Sequence, residues 1–240
     1  MRVPIDAPLR GRFLRRYKRF FADVETEDGE ELTVHCPNPG SMRGFLRPGA
    51  PVRCSTSDSP TRKLAHSLEM MRIGRVWVGL HTGRANAVAE AALEAGWPRR
   101  LGGYAKITRE VSVRDDAGAV RARLDFALSQ HDEVGRKAYV EVKSVTLAEA
   151  GIARFPDSVT ERGRKHLEVL EALRREGHRS ALLFLVQRAD CERVAPADDI
   201  DPRYGEALRR AVKAGVEVHA LGARVTARAI SVERELPVML

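Results

Sequence analysis

Between positions 10 and 80 the apolar residues fall in short runs that alternate with charged ones and are broken by turn residues. The stretch 11–22 is basic and aromatic, and predicts a strand pair or one long bent strand. Residues 24–26 and 31–36 flank Glu27-Asp28-Gly29-Glu30, and Asp-Gly between alternating segments is a strong hairpin signal. Residues 37–42, Pro-Asn-Pro-Gly-Ser-Met, read as a structural turn between strands. Strands are predicted at 51–57 and 64–71, and Ile73-Gly74-Arg75 marks a second hairpin before 76–80. Five or six short strands joined by tight turns suit a small closed barrel.

Near Gly83 the period changes. Ala87, Val88, Ala91 and Ala92 have helical spacing, which predicts a helix over 86–94. Strands are expected at 107–113, 121–128 and 138–145, with a charged connection at 130–137 before the last. Ser158 followed by Glu161 has capping-box spacing and predicts a helix running to about Glu176 and stopping at Gly177. Residues 181–186 are continuously apolar, as in a strand covered on both faces. A helix over 202–214 ends at Gly215, and a strand follows at 216–221. The order α-β-β-β-α-β-α-β is that of an α/β sheet layered by helices. The chain therefore divides into a barrel over 1–82 and an α/β unit over 83–240.

With 43% apolar residues the chain can bury an ordinary core. No run reaches the roughly 18–20 apolar residues that cross a bilayer, and Met1 to Asp6 carries no signal core. The expectation is a soluble cytoplasmic protein with no membrane partner. Three scattered cysteines suggest neither a disulfide framework nor a zinc site. The net charge is +8, of which +5 lies in the first 80 residues, and this favours polyanion partners. Arg10, Arg12, Arg15, Arg16, Lys18 and Arg19 interleave with Phe13, Tyr17 and Phe20. Arg12, Arg15, Arg16, Lys18 and Arg19 are candidates to track a phosphate backbone, and Phe13, Tyr17 or Phe20 to stack on bases. The other reading is a solvated barrel face whose aromatics fill the core.

Two strands carry the candidate chemistry. Side chains alternate across a strand, so Glu141 and Lys143 share one face and Val140 and Val142 the other. Asp125 lies between Leu124 and Phe126. If the strands pair across the 130–137 connection, Asp125 meets Glu141. Two carboxylates and an ammonium in an apolar sheet are costly unless they neutralise one another or hold a cation. Magnesium, or manganese in its place, takes oxygen ligands and suits Asp125 and Glu141. Lys143 would then offset charge on the scissile phosphate. Glu90 is a candidate to orient water, and Gln187 to hold the lysine or a phosphate. Arg162 and His166, four apart at the start of a helix, are candidates to line the cleft against nucleic acid.

The segments Arg15 to Phe20, His35 to Met42, Leu124-Asp125-Phe126, Glu141 to Leu147, Phe155 to Leu167, Val186 to Asp190 and Asp201 to Tyr204 resemble the sugar fermentation stimulation protein A family. The resemblance covers nearly the whole chain, and Pro39 stands where the family pattern carries threonine. It implies an OB-like β-barrel followed by a restriction-endonuclease-like, PD-(D/E)xK, α/β domain. The acid and E-x-K positions of that signature fall on Asp125, Glu141 and Lys143. It also implies DNA binding and a link to regulation of sugar catabolism. Two other functions remain open: a DNA-binding regulator on a relic nuclease fold, and a binding module for RNA or a phosphorylated ligand.

Overall fold

The structure is a computed structural model that describes every residue except Arg43, Asp116 and 132–134. Part of the charged connection expected at 130–137 thus lies outside the described residues. The chain opens with β1 (Arg2–Pro4), followed by β2 (Leu9–Tyr17), β3 (Phe21–Thr26) and β4 (Glu31–His35). Then come β5 (Pro51–Thr56), β6 (His66–Ile73) and β7 (Val76–Gly79). The strand order β4-β3-β2-β5-β6 closes into a five-stranded barrel through a parallel contact of His35 with Ser67. Phe13, Val24, Val34, Val52, Leu68 and Met71 point inward and form its core. The basic stretch is a β2–β3 hairpin. Its turn passes through Lys18 and Arg19, both in the left-handed region at φ 46° and 63°. Residues other than glycine hold that conformation at a cost of about 1–3 kcal/mol each.

The second unit contains α1 (Gly83–Glu94), β8 (Tyr104–Arg114), β9 (Val120–His131) and β10 (Ala138–Val145). Short strands β11 (Ala148–Glu149) and β12 (Ile152–Phe155) precede α2 (Glu161–Arg175). The chain continues through β13 (Arg179–Val186), β14 (Arg193–Pro196), α3 (Pro202–Lys213), β15 (Glu217–Val225) and β16 (Ala229–Glu235). β10, β13 and β15 are parallel neighbours, joined by crossovers through α2 and α3, while β9 and β8 extend the sheet antiparallel. Alternate residues of β13 explain its continuous apolar run. Ala181, Leu183 and Leu185 pack on the α1 side, and Leu182, Phe184 and Val186 on the α2–α3 side.

Two differences from the sequence pattern have simple causes. Helix α2 is capped by Thr160, whose hydroxyl accepts from Gly163 N–H at 3.0 Å, and not by Ser158. Glu161 is therefore the first helical residue and cannot close a capping box. The barrel and the α/β unit also share one sheet, because β7 pairs with β15 through Trp77 and Val225. Strand β6 serves both cores: Leu68 and Met71 face the barrel interior, and Met70 the α/β core.

Candidate active site

Strands β9 and β10 pair through Tyr139–Ala127 and Val140–Phe126, so the next rung sets Glu141 against Asp125. The ladder ends there. Asp125 Oδ2 accepts the Val142 N–H at 2.7 Å, and Asn86 of α1 donates to Asp125 Oδ1 at 2.7 Å. A side-chain carboxylate has replaced a backbone acceptor, which fixes its rotamer. Glu141 is 4% exposed. Its Oε1 accepts from Lys143 Nζ at 2.6 Å and from the His166 ring, whose Nε2 accepts in turn from Arg162 Nε at 3.4 Å. Glu141 Oε2 is buried with no hydrogen-bond partner among the described residues.

The two acids are driven apart electrostatically. Burial, then the charge of Glu141, pushes the Asp125 carboxyl above the usual carboxylate range against its contacts with Val142 and Asn86. Burial pushes Glu141 upward too, but His166 and Lys143 outweigh it and hold that carboxyl low. An elevated acid beside a buried, unpartnered carboxylate oxygen is a site that a hard cation would satisfy. Among the described residues no group of three or more His, Cys, Asp or Glu side chains gathers as a metal cage.

This site opens into a cleft of about 570 Å³ between the barrel and the α/β unit. Arg19, Asn38 and Gly40 form one wall, Asn86 and Asp125 another, and Asp157, Thr160 and Arg162 the third. The 37–42 loop is more than the turn the sequence suggested. Asp157 Oδ2 accepts Met42 N–H at 3.0 Å, and Ser41 Oγ donates to the Asp157 carbonyl. A Cβ on Gly40 would lie 2.5 Å from that Asp157 carboxylate and would displace it from the Met42 N–H. Pro39, the departure from the family pattern, contributes its carbonyl, which accepts from Arg19 at 3.3 Å.

Several expected residues stand elsewhere. Glu90 pairs with Arg109 at 3.6 Å and does not line the cleft; Asn86, one turn earlier on the same helix face, reaches Asp125 instead. Gln187 touches neither Lys143 nor the cleft. It is fully buried, donating to Ser144 Oγ at 2.8 Å, with its Oε1 enclosed against Gly79. His166 is not on a nucleic-acid face but 6% exposed behind Glu141, where it orients that carboxylate. Arg16 spends its guanidinium on the carbonyls of Asn38 and Arg19, bracing the loop. Arg15 pairs with Asp23 at 2.7 Å although it is largely exposed. Arg12 lies in a separate groove with Arg10, Arg53 and Arg72 around Trp77. Lys18 is exposed, while Arg19 and Arg162 alone of the cations expected to contact nucleic acid line the cleft. Asn86 carried no signal in the sequence, since a single amide outside a motif has none, and Asp157 lay in the Phe155 to Leu167 segment with nothing to tie it to the 37–42 loop.

Two family models match the chain. Residues 14–80 match the SfsA N-terminal OB domain, and residues 83–229 match the sugar fermentation stimulation protein RE domain. The chain belongs to the sugar fermentation stimulation protein family. Curated relatives share this range almost end to end. The sugar fermentation stimulation protein homolog of Alkalilimnicola ehrlichii is 48% identical over 236 residues, covering 97% of this chain and 98% of the relative. That of Halorhodospira halophila is 50% identical over 229 residues, covering 95% and 93%. A solved structure of Pyrococcus furiosus SfsA in complex with Ca2+ superposes with a TM-score of 0.86 at 27% identity, covering 100% of this chain and 98% of that one. The five-stranded barrel is thus the family's OB domain, and the α/β unit its RE domain. No helix among the described residues is long and apolar enough to cross a membrane.

The electrostatics of Asp125 give a stability prediction. A carboxyl with a raised folded pKa contributes stability that is full below the ordinary carboxylate range and lost as pH rises through its elevated value. Ionised Asp125 therefore destabilises the metal-free protein at neutral pH. Glu141, held low, has the opposite sign: its contribution is present at neutral pH and lost on acidification. Asp125→Asn raises the melting temperature of the metal-free protein at neutral pH, and the gain shrinks in acid. Thermal melts of both proteins at two pH values check this, and a variant no more stable than wild type at neutral pH contradicts it.

Proposed function

We propose that this chain is a divalent-metal-dependent phosphodiesterase acting on nucleic acid, DNA foremost. The observation that carries the reading is the unpartnered, buried Glu141 Oε2 beside the elevated Asp125, at the floor of a cleft rimmed by arginines. Asp125 and Glu141 would hold magnesium or manganese, which supplies Lewis-acid charge stabilisation and a more acidic water. The Ca2+ bound by Pyrococcus furiosus SfsA, a hard cation that takes oxygen ligands, supports a site of this kind.

The protein's own groups do the rest. Asn86 and the Val142 N–H lock the Asp125 rotamer, and His166 locks that of Glu141. The Lys143 ammonium stands at the cleft to offset charge that develops on a phosphoryl oxygen. Arg19 and Arg162 are positioned for the flanking phosphates. Plasmid, single-stranded DNA and RNA incubated with magnesium or manganese, beside a chelated control, test the proposal. Cleavage that needs the metal is expected. Cleavage under chelation, or none with nucleic-acid binding intact, contradicts it.

A second reading is a DNA-binding regulator of sugar catabolism that does not cut. One observation favours it: Glu141 Oε1 is already engaged within the protein, by Lys143 Nζ and the His166 ring. For either reading, the slope of log Kd against log salt on duplex DNA reports the phosphates neutralised. Arg19→Ala and Arg162→Ala each flatten that slope by about 0.9 per lost contact. Arg16→Ala leaves it unchanged and lowers stability instead, and a flattened slope for Arg16→Ala would contradict its bracing role.

A further inference from the structure

A second groove lies on the barrel beside the cleft, with a volume of about 330 Å³, lined by Phe20, Phe21, His35, Arg62, Lys63 and Leu64. Its walls combine three ring systems with two cations and no acid. Phe20 is 43% exposed, an unusual position for a large apolar ring, whereas Phe13 and Phe45 of the same barrel are buried. Its ring lies nearly parallel to the His35 imidazole, at a centroid distance of 6.5 Å and an angle of 29°. A ring this exposed, beside a second flat ring, offers a platform for a further flat group. Burial and the neighbouring Arg62 hold the His35 pKa below its usual value, so the imidazole presents a neutral face at neutral pH.

The cations are placed on the same rim. Arg62 is pinned by its bond to Ser67 Oγ at 2.8 Å. Lys63 is exposed and has no ion-pair partner among the described residues. The strained turn at Lys18 and Arg19 sets Phe20 on this groove and Arg19, its chain neighbour, on the cleft. Neighbours in the chain thus line the two sites. A chain of phosphates bearing flat, unpaired bases matches all of these features. A duplex matches only the cations, because its bases are stacked on one another and unavailable.

We propose that the groove formed by Phe20, His35 and residues 62–64 stacks bases of a single-stranded nucleic acid and leads that strand past Arg19 into the cleft. The leading of the strand rests on the phosphodiesterase reading of the cleft; the base-binding groove does not.

Fluorescence anisotropy in the presence of EDTA tests it, using a fluorescein-labelled DNA strand and the same strand annealed to its complement. Phe20→Ala weakens binding of the single strand by about 5- to 100-fold, leaves duplex binding unchanged, and does not alter the salt slope. Lys63→Ala flattens the single-strand salt slope by about 0.7. Phe20→Trp retains binding, and its added indole fluorescence falls when the single strand is titrated in. Equal weakening of strand and duplex by Phe20→Ala, or no weakening of either, overturns the proposal. So does an introduced indole that the strand does not quench. Because chelation silences any metal-dependent cleavage, the two readings fail separately. A wild type that cuts nothing, together with strand-selective loss in Phe20→Ala, removes the phosphodiesterase and leaves the groove standing.

Discussion

Lys143→Met lowers metal-dependent cleavage by about 10²- to 10³-fold, the loss typical when one preorganised electrostatic group is removed from a reacting phosphoryl or acyl centre. The side chain is 12% exposed and reaches Glu141 Oε1 at 2.6 Å, so it is held at the cleft floor before any substrate arrives. Methionine preserves the length of the side chain and fills its volume. Glu141 keeps His166 as a partner, so the carboxylate stays in place and the ion still binds. The effect should therefore fall on kcat in single-turnover cleavage, while the thermal shift produced by magnesium survives. Asp125→Asn loses both the cleavage and the shift. A Lys143→Met protein that cuts at the wild-type rate would show that the ammonium plays no part in the reaction.

Arg84→Ala destabilises the whole protein by about 3 kcal/mol, the lower end of the cost of stripping a buried charge of its partner. Glu69 lies on β6 with its side chain only 1% exposed, and Arg84 of α1 donates to both its carboxylate oxygens, at 2.7 and 3.1 Å. The pair joins the barrel to the first helix of the α/β unit at the point where β6 serves both cores. Removal of the arginine leaves an uncompensated carboxylate in an apolar junction. For a chain of this size the melting temperature falls by roughly 6–12 °C. Replacing the pair together, Glu69→Leu with Arg84→Met, recovers most of the loss, because apolar residues of similar volume tolerate that environment. Scanning calorimetry of the three proteins decides it. A fall in Arg84→Ala that the double variant does not reverse would mean that packing, rather than charge, holds the junction.

The convergence of Asp125, Glu141 and Lys143 was legible because strand alternation is a strict geometric rule. Once Glu141 and Lys143 share a face and β9 folds back on β10, Asp125 has one place to go. The three long helices and the longer strands followed from the same periodicities, but β1, β11, β12, β14 and β16 did not; Gly177 and Gly215, with φ of 89° and 93°, stop the helices where the sequence suggests. Contacts between distant segments were not legible. His166 has the surface spacing of an exposed helical cation, and only the packing of α2 against β10 turns it inward. Glu90 and Asn86 sit on one helix face, and the height of the helix above the sheet selects between them. Arg16 looks identical to Arg15 in a basic run, yet the carbonyls of the 37–42 loop claim it. Gln187 follows an apolar strand, as a site residue would, but Gly79 of β7 bonds to its carbonyl and packs against its side chain. The exposed Phe20 became distinguishable from the buried Phe13 only once the barrel interior was known.

Anomalous scattering from a crystal soaked in manganese tests the central claim most directly. One strong peak is expected between the carboxylates of Asp125 and Glu141, and it disappears in Asp125→Asn. A peak elsewhere, or none beside those two residues at a manganese concentration that supports cleavage, would contradict it.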